Sequence, residues 1–213
     1  MNKLKAVLVS LILFVSVSSF AQSDKYVNAM KENLQKLSEN FTENLQPVSA
    51  QFERIAQAEQ TQWLPYYYAA YFTALQTYIK PDNTTSDKIL DKAQSMLDEA
   101  FKLHPDSSEC MVVQGFIHVG RIMVDPMNRG AEYSQLANTA FQKSIVLNPA
   151  NPRGYYMKGM TVMNTPDFYG GGKIPAKPIL TEAMAKFEAF TPSSPIAPNW
   201  GKDQCKQQLD ACQ

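Results

Sequence analysis

The chain has 213 residues with 20 Lys+Arg, 20 Asp+Glu and 2 His, and 45% of it is hydrophobic. That length supports one large domain or a short repeat array with a sizeable core. Its charges alternate in sign along the chain, which excludes the clustered Lys and Arg that neutralise phosphates in a nucleic-acid binder.

The first element reads as an address. Lys3 and Lys5 precede an apolar run from Ala6 to Val17, followed by Ser18-Ser19-Phe20-Ala21 and then Gln22. This is the pattern of a secretory signal peptide over residues 1–21, cleaved near Ala21, and it places the mature chain in the periplasm or outside the cell. The apolar core is about a dozen residues, short of the roughly 20 that span a bilayer. No later stretch is long and apolar enough to do so, and no Cys at the boundary offers a lipid anchor. Removing Lys3 and Lys5 from the 20 Lys+Arg leaves 18 against 20 Asp+Glu, a mature net charge of −2.

From Ser23 onward apolar residues recur at helical spacing. Tyr26, Met30, Leu34, Leu37, Phe41 and Leu45 fall three or four apart and mark the stripe of one amphipathic helix. No segment alternates with a period of two, so the chain is expected to be all-α. Prolines at Pro47, Pro81, Pro105, Pro126, Pro149 and Pro192 cut it into pieces of helix length.

The pieces repeat. Ala93, Leu97, Ala100 and Pro105 share their spacing with Ala137, Phe141, Ser144 and Pro149. Met111 and Gly115 follow the first set, and Tyr155 and Gly159 follow the second. Small residues at Ala93, Gly115 and Gly159 would let paired helices approach, with Leu97, Phe141 and Tyr155 filling the space between hairpins. Phe52 and Ile55 close a preceding half unit, Tyr66 and Ala70 open the next, and Ala176, Leu180 and Ala183 continue the pattern downstream.

A large residue four before a Gly, then Ala, a bulky residue, Ala and Pro, resembles the tetratricopeptide (TPR) pattern. More narrowly, Phe52-Glu53-Arg54-Ile55-Ala56, Trp63 to Ala70, Tyr169-Gly170-Gly171-Gly172-Lys173 and Pro195 to Gly201 resemble small exported TPR proteins of Gram-negative bacteria, which have no assigned activity. The resemblance implies an all-α, right-handed solenoid of TPR-like hairpins over residues 22–190, with a C-terminal cap over 191–213 in which Trp200 plugs the last exposed face. Ordinary repeats recur about every 34 residues, whereas Pro105 and Pro149 lie 44 apart. The extra length is expected in loops between paired helices, at Asp125 to Gly130, Pro81 to Ser86 and Thr165 to Lys173.

In TPR proteins the first helix of each hairpin lines a concave groove. Carried over by position, the resemblance assigns Tyr67, Tyr71, Val112, Phe116, Tyr156 and Met160 to that groove, with Glu109 and Arg153 near its edge. Tyr and Met suit adaptable apolar contact, so the implied partner is a protein or peptide segment.

Other motifs carry less chemistry. Gly170-Gly171-Gly172-Lys173 lacks the hydroxyl residue and the preceding strand of a phosphate loop, so it reads as a turn with glycines at positive φ, leaving Lys173 as a loop contact. His104 and His118 have no ligand partner at metal spacing, and no nucleophile motif is present. No catalytic residue, metal or cofactor is therefore assigned. Cys110, Cys205 and Cys212 are odd in number; Cys205 and Cys212 sit about 10 Å apart along a helix, so they are either three buried thiols or one bridge from Cys110 to one of the others.

The composite reading is a non-catalytic exported TPR scaffold that holds a protein segment, for instance as an envelope assembly factor. Two other readings stand beside it: a small-ligand carrier, from a looser resemblance to the helical repeat component of tripartite transport, and an envelope hydrolase.

Overall fold

A computed structural model describes residues 24–212, and the signal-peptide reading of residues 1–21 lies outside them. The described residues form nine α-helices and no strand. A first helix, α1, spans residues 24–39 and is followed by α2 (Phe41–Ala58). Of the expected stripe, Tyr26, Met30, Leu37 and Leu45 are buried and Leu34 is half-buried, but Phe41 is exposed, and the stripe runs over two helices. The break falls at Asn40, whose extended backbone and side-chain acceptor cap α2 through the Glu43 amide at 3.3 Å. Pro47, expected to end a helix, lies inside α2.

Three hairpins follow: α3 (Trp63–Ile79) with α4 (Ser86–Leu103), α5 (Ser108–Val124) with α6 (Pro126–Leu147), and α7 (Pro152–Asn164) with α8 (Lys173–Ala189). The first helices α3, α5 and α7 pack on one another in succession to form the inner layer. A final helix, α9 (Lys202–Asp210), packs on α8. The molecule is thus an all-α solenoid of stacked hairpins.

Residue size sets the approach of these helices. A Cβ on Gly115 would land inside the Phe141 ring, and one on Gly159 would lie 2.7 Å from Leu180 Cδ2. Both contacts are within a hairpin, so Phe141 fills its own hairpin and not the gap between hairpins. Between hairpins the same device recurs: a Cβ on Gly120 would meet Leu90 Cδ2 at 2.8 Å, and one on Gly154 would meet Ser144 Oγ at 2.8 Å. Leu90 and Leu180, which fill these close approaches, are buried, as is Leu97, each contributing about 1.5–3 kcal/mol.

Helix starts are written in capping residues. Ser107 accepts the Cys110 amide at 3.1 Å, and Asn151 accepts the Arg153 amide at 3.0 Å. Ser108 Oγ donates to the Ser144 carbonyl at 2.9 Å and accepts from Asn151 Nδ2 at 2.9 Å, tying consecutive hairpins together at their caps. At the opposite end of the hairpins Asp87 receives Arg121 at 2.7 Å and Arg129 at 2.8 Å.

The 44-residue spacing has a different cause from the one expected. Asp125 to Gly130 is not a loop: Asp125 caps α6, Pro126 takes its first position, and the added length makes α6 a 22-residue helix. A proline at N1 surrenders an amide that has no helical partner anyway and arrives with a helical φ, so it starts the helix instead of interrupting it. Residues 80–85 and 165–172 do form turns. Cys110, Cys205 and Cys212 are three buried free thiols.

Candidate functional site

The inner layer presents an aromatic surface built mainly by α3. Tyr68 and Phe72 face backward, stacking on Phe52 of α2 at 5.0 and 5.7 Å between ring centroids. Tyr67 and Tyr71 face the concave side one helical turn apart, and Tyr71 meets Phe116 of α5 at 5.5 Å. Phe116 lies flat against Tyr78 at 4.1 Å, and the Tyr78 hydroxyl donates to the Phe116 carbonyl at 2.6 Å.

This surface is occupied by the chain itself. After α8 the backbone leaves helical geometry from residue 190 to 201 and returns across the concave side. Trp200 stacks on Tyr71 with centroids 4.5 Å apart and planes 13° from parallel, while its Nε1–H donates to the Tyr67 hydroxyl at 2.9 Å. The Tyr68 hydroxyl donates to the Ile196 carbonyl at 2.9 Å. Trp200 therefore closes the concave face over α3, more than a hundred residues back, while α9 covers α8. Gly201 makes the reversal: its φ is 103°, and a Cβ would press on Phe187 at 3.0 Å.

Arg153 anchors this strap. Its side chain is wholly buried; Nε donates to both Glu109 oxygens at 3.0 and 2.8 Å, and Nη2 donates to Oε1 at 2.5 Å. The guanidinium lies over the Phe190 ring at 4.6 Å, and Nη1 donates to the Trp200 carbonyl at 3.5 Å. A buried cation is tolerated when its donors are satisfied by a carboxylate in fork geometry. Burial, with the Glu109 charge as the next cause, pushes the Tyr67 phenol well above its ordinary value. Tyr67 is thus held as a neutral hydroxyl at the centre of the face.

The structure brings Tyr67, Tyr71, Glu109, Val112, Phe116 and Arg153 into one neighbourhood beneath the strap, with all but Glu109 buried. Tyr156 is buried beside Phe187, at 6.3 Å between rings, and Met160 is half-buried farther along α7. Lys173 is exposed at the start of α8, in the α7–α8 turn.

The strap leaves a cleft of about 1000 Å³ beside it, where α3 and the turns between hairpins meet the end of α8. Trp63, His104, Glu109, Arg153, Lys186 and Phe190 are among its walls. His104 caps α4 and packs on Trp63 at 4.9 Å between rings. Lys186 Nζ lies 4.4 Å from the Tyr155 ring centroid and donates to the Pro149 carbonyl at 2.8 Å. Sequence reasoning did not assign Trp63, His104, Lys186 or Phe190 to a site. No local signal marks them, because the cleft exists only once residues 190–198 have folded back over α3 and α5.

No protein-family model matches the chain, and no curated protein matches it. Two solved structures share its architecture. The HusA haemophore from Porphyromonas gingivalis superposes with a TM-score of 0.80 at 29% identity, over 88% of this chain and 92% of that one. A thermophilic TPR protein of Thermus thermophilus gives a TM-score of 0.62 at 14% identity, over 88% of this chain and 80% of that one. The second likeness speaks to fold alone. The chain has a TPR-like all-α fold, and no helix among its described residues is long and apolar enough to cross a membrane.

Proposed function

We propose that this chain is a non-catalytic exported carrier that takes a flat, amphipathic small molecule of the tetrapyrrole class into the cleft beside the strap. The observation that carries the reading is that Trp200 fills the concave face while about 1000 Å³ stays open next to it. That volume is at the upper end of small-ligand sites, which run from roughly 300 to 1,000 Å³. The chemistry of the walls agrees: Trp63 and Phe190 offer ring faces for a macrocycle, and Lys186 offers a cation for a peripheral carboxylate. His104 adds an exposed imidazole. The likeness to a haemophore over 92% of that protein's length supports the same ligand class, and the signal-like residues 1–21 support export.

Titration of the mature chain with haem and with metal-free protoporphyrin, followed by the porphyrin absorbance band, tests this directly. Binding of either, weakened about tenfold by Trp63→Ala and by Phe190→Ala, is the expected result. Absence of binding, or variants that bind like wild type, removes the reading.

A second reading has one observation in its favour. Residues 190–201 are themselves a non-helical segment seated on the concave face through Ile196 and Trp200, so the face accepts such a segment. A partner peptide would replace the strap on Tyr67, Tyr71, Glu109, Val112, Phe116, Arg153, Tyr156 and Met160, with Lys173 as a contact from the turn. That reading expects a defined partner peptide to bind Trp200→Ala more tightly than wild type, and to lose binding in the Tyr71→Ala, Phe116→Ala double variant.

A further inference from the structure

Paired helices run antiparallel, so the turns inside hairpins and the turns between them leave the stack on opposite edges. The cleft belongs to the edge of the between-hairpin turns. The other edge gathers large apolar side chains: of the ten that stand exposed among the described residues, Ile79, Met123, Met127, Phe168, Tyr169 and Ile174 lie at the ends of helices or in turns there. Four are largely exposed, Met127 at 93%, Phe168 at 79%, Tyr169 at 76% and Ile174 at 89%, with the Phe168 and Tyr169 rings packed on each other at 4.3 Å.

These side chains are held out by a built support. Phe168 and Tyr169 ride on a 3₁₀ turn (Asp167–Tyr169) closed by the Tyr169 amide on the Pro166 carbonyl at 2.9 Å. The Gly172 amide returns to the Val162 carbonyl at 2.9 Å, and a Cβ on Gly171 would overlap the Thr165 backbone. Gly170 and Gly172 take φ of 81° and 96°. The three glycines thus specify a tight knuckle whose shape presents Phe168, Tyr169 and Ile174 to water. One hairpin earlier, Met127 projects from the first turn of α6, whose position is pinned by Arg129 on Asp87.

Charge on this edge is mixed in sign, with the lysines beside the apolar tips. The acids are turned onto their own backbone: Asp82 accepts the Thr84 amide at 2.9 Å and the Thr85 hydroxyl at 2.9 Å, Asp125 accepts the Asn128 amide at 3.2 Å, and Asp167 lies over Gly172. Lys80, Lys173 and Lys177 are exposed, the last two on either side of Ile174. Apolar tips this exposed give a protein partner little packed surface to complement, since such partners bind through packed central pockets. Aromatic and aliphatic tips flanked by lysines are instead what the boundary between headgroups and acyl chains accepts.

We propose that this edge docks on a lipid surface carrying anionic headgroups, with Phe168, Tyr169, Ile174 and Met127 entering the boundary and Lys173 and Lys177 meeting the headgroups. The surface is separate from the cleft, so the carrier can hold its ligand while it is docked.

Co-sedimentation of the mature chain with vesicles of phosphatidylethanolamine and phosphatidylglycerol, against phosphatidylcholine alone, tests it. Wild type is expected to partition onto the anionic vesicles. The Phe168→Ser, Tyr169→Ser, Ile174→Ser triple variant should partition at least about tenfold less. The Lys173→Gln, Lys177→Gln variant should lose about fivefold per lysine along with most of the salt dependence. Both variants should keep the wild-type circular dichroism and porphyrin titration, which separates this surface from the ligand reading. Failure of wild type to sediment, or equal sedimentation of the triple variant, overturns the proposal. A wild-type dimer that the triple variant dissolves, without vesicle binding, would overturn it in favour of a second copy of this chain.

Discussion

The interior of the hairpins and the strap across the concave face are both tightly packed, yet they are specified in different ways. Inside a hairpin the decisive contacts pair a small residue with a large one: Gly115 with Phe141, Gly159 with Leu180. Their partners lie 26 and 21 residues apart, and the same pairing of a small residue with a large one recurs from one hairpin to the next. Under the strap the contacts join Trp200 to Tyr67 and Tyr71, Ile196 to Tyr68, and Phe190 to Arg153, each pair once. The contrast teaches that repetition makes the scaffold, while single long-range contacts made by non-repeating residues shape what the scaffold can hold.

If that contrast is right, breaking the two regions should have different signatures. The largest effect belongs to the strap's anchor. Arg153→Ala leaves Glu109 with a mostly buried, unpaired carboxylate and should cost about 3–5 kcal/mol, roughly 10 °C in Tm for a domain of this size. Replacing both members, Glu109→Leu with Arg153→Met, should recover most of that loss, because an apolar pair of similar volume has no charge to desolvate. A double variant as unstable as Arg153→Ala would show that the pair's geometry, not its charge, holds the strap.

The hairpin interior should respond nearly as strongly but without rescue. Gly159→Leu forces a side chain into space already held by Leu180, and at least about 3 kcal/mol is expected in a urea melt. Tyr155, half-buried one turn earlier on the same helix, is a control position where substitution should cost under about 1 kcal/mol.

Trp200→Ala should be milder in stability, about 2 kcal/mol, since the indole is partly exposed. Its larger consequence is exposure of Tyr67 and Tyr71, read as increased binding of a hydrophobic dye. An unchanged dye signal would mean that the strap stays down without its indole.

The effect that is smallest near neutral pH is a pH dependence that both regions share. Burial raises the Tyr26 and Tyr156 phenols to about 12, the Cys110 thiol to about 12 and the Cys205 thiol to about 11. In the unfolded chain these groups ionise from about pH 9 for thiols and 10 for phenols. Folded values raised above unfolded ones give stability that is complete below about pH 9 and declines as pH rises further. The urea midpoint should be flat from about pH 7 to 8.5 and fall steadily towards about pH 11; a flat line over the whole range would contradict the burial of these groups.

The fold was legible because its rules are local and repeated. Leu97, Phe141 and Leu180 announce themselves by their distance from small residues and prolines, and all three are core. Boundaries were less legible where a residue can play two parts. Pro126 starts α6, Pro47 sits within α2, and Asn40 supplies a cap that no proline marked. Which residues of α3, α5 and α7 share a face was legible, since helical spacing fixes it. What covers them was not, because no period connects Trp200 with Tyr71; Trp200 read as an end plug and instead lies across the middle.

The closure of the concave face by the chain's own indole is the claim on which the ligand reading rests. Acrylamide quenching of Trp200, measured alone in a Trp63→Phe background, tests it most directly. A quenching constant severalfold below that of free tryptophan, rising towards it in Tyr71→Ala, is the expected result. A constant equal to that of free tryptophan in the otherwise intact protein would mean that the groove stands open and the cleft is not a defined site.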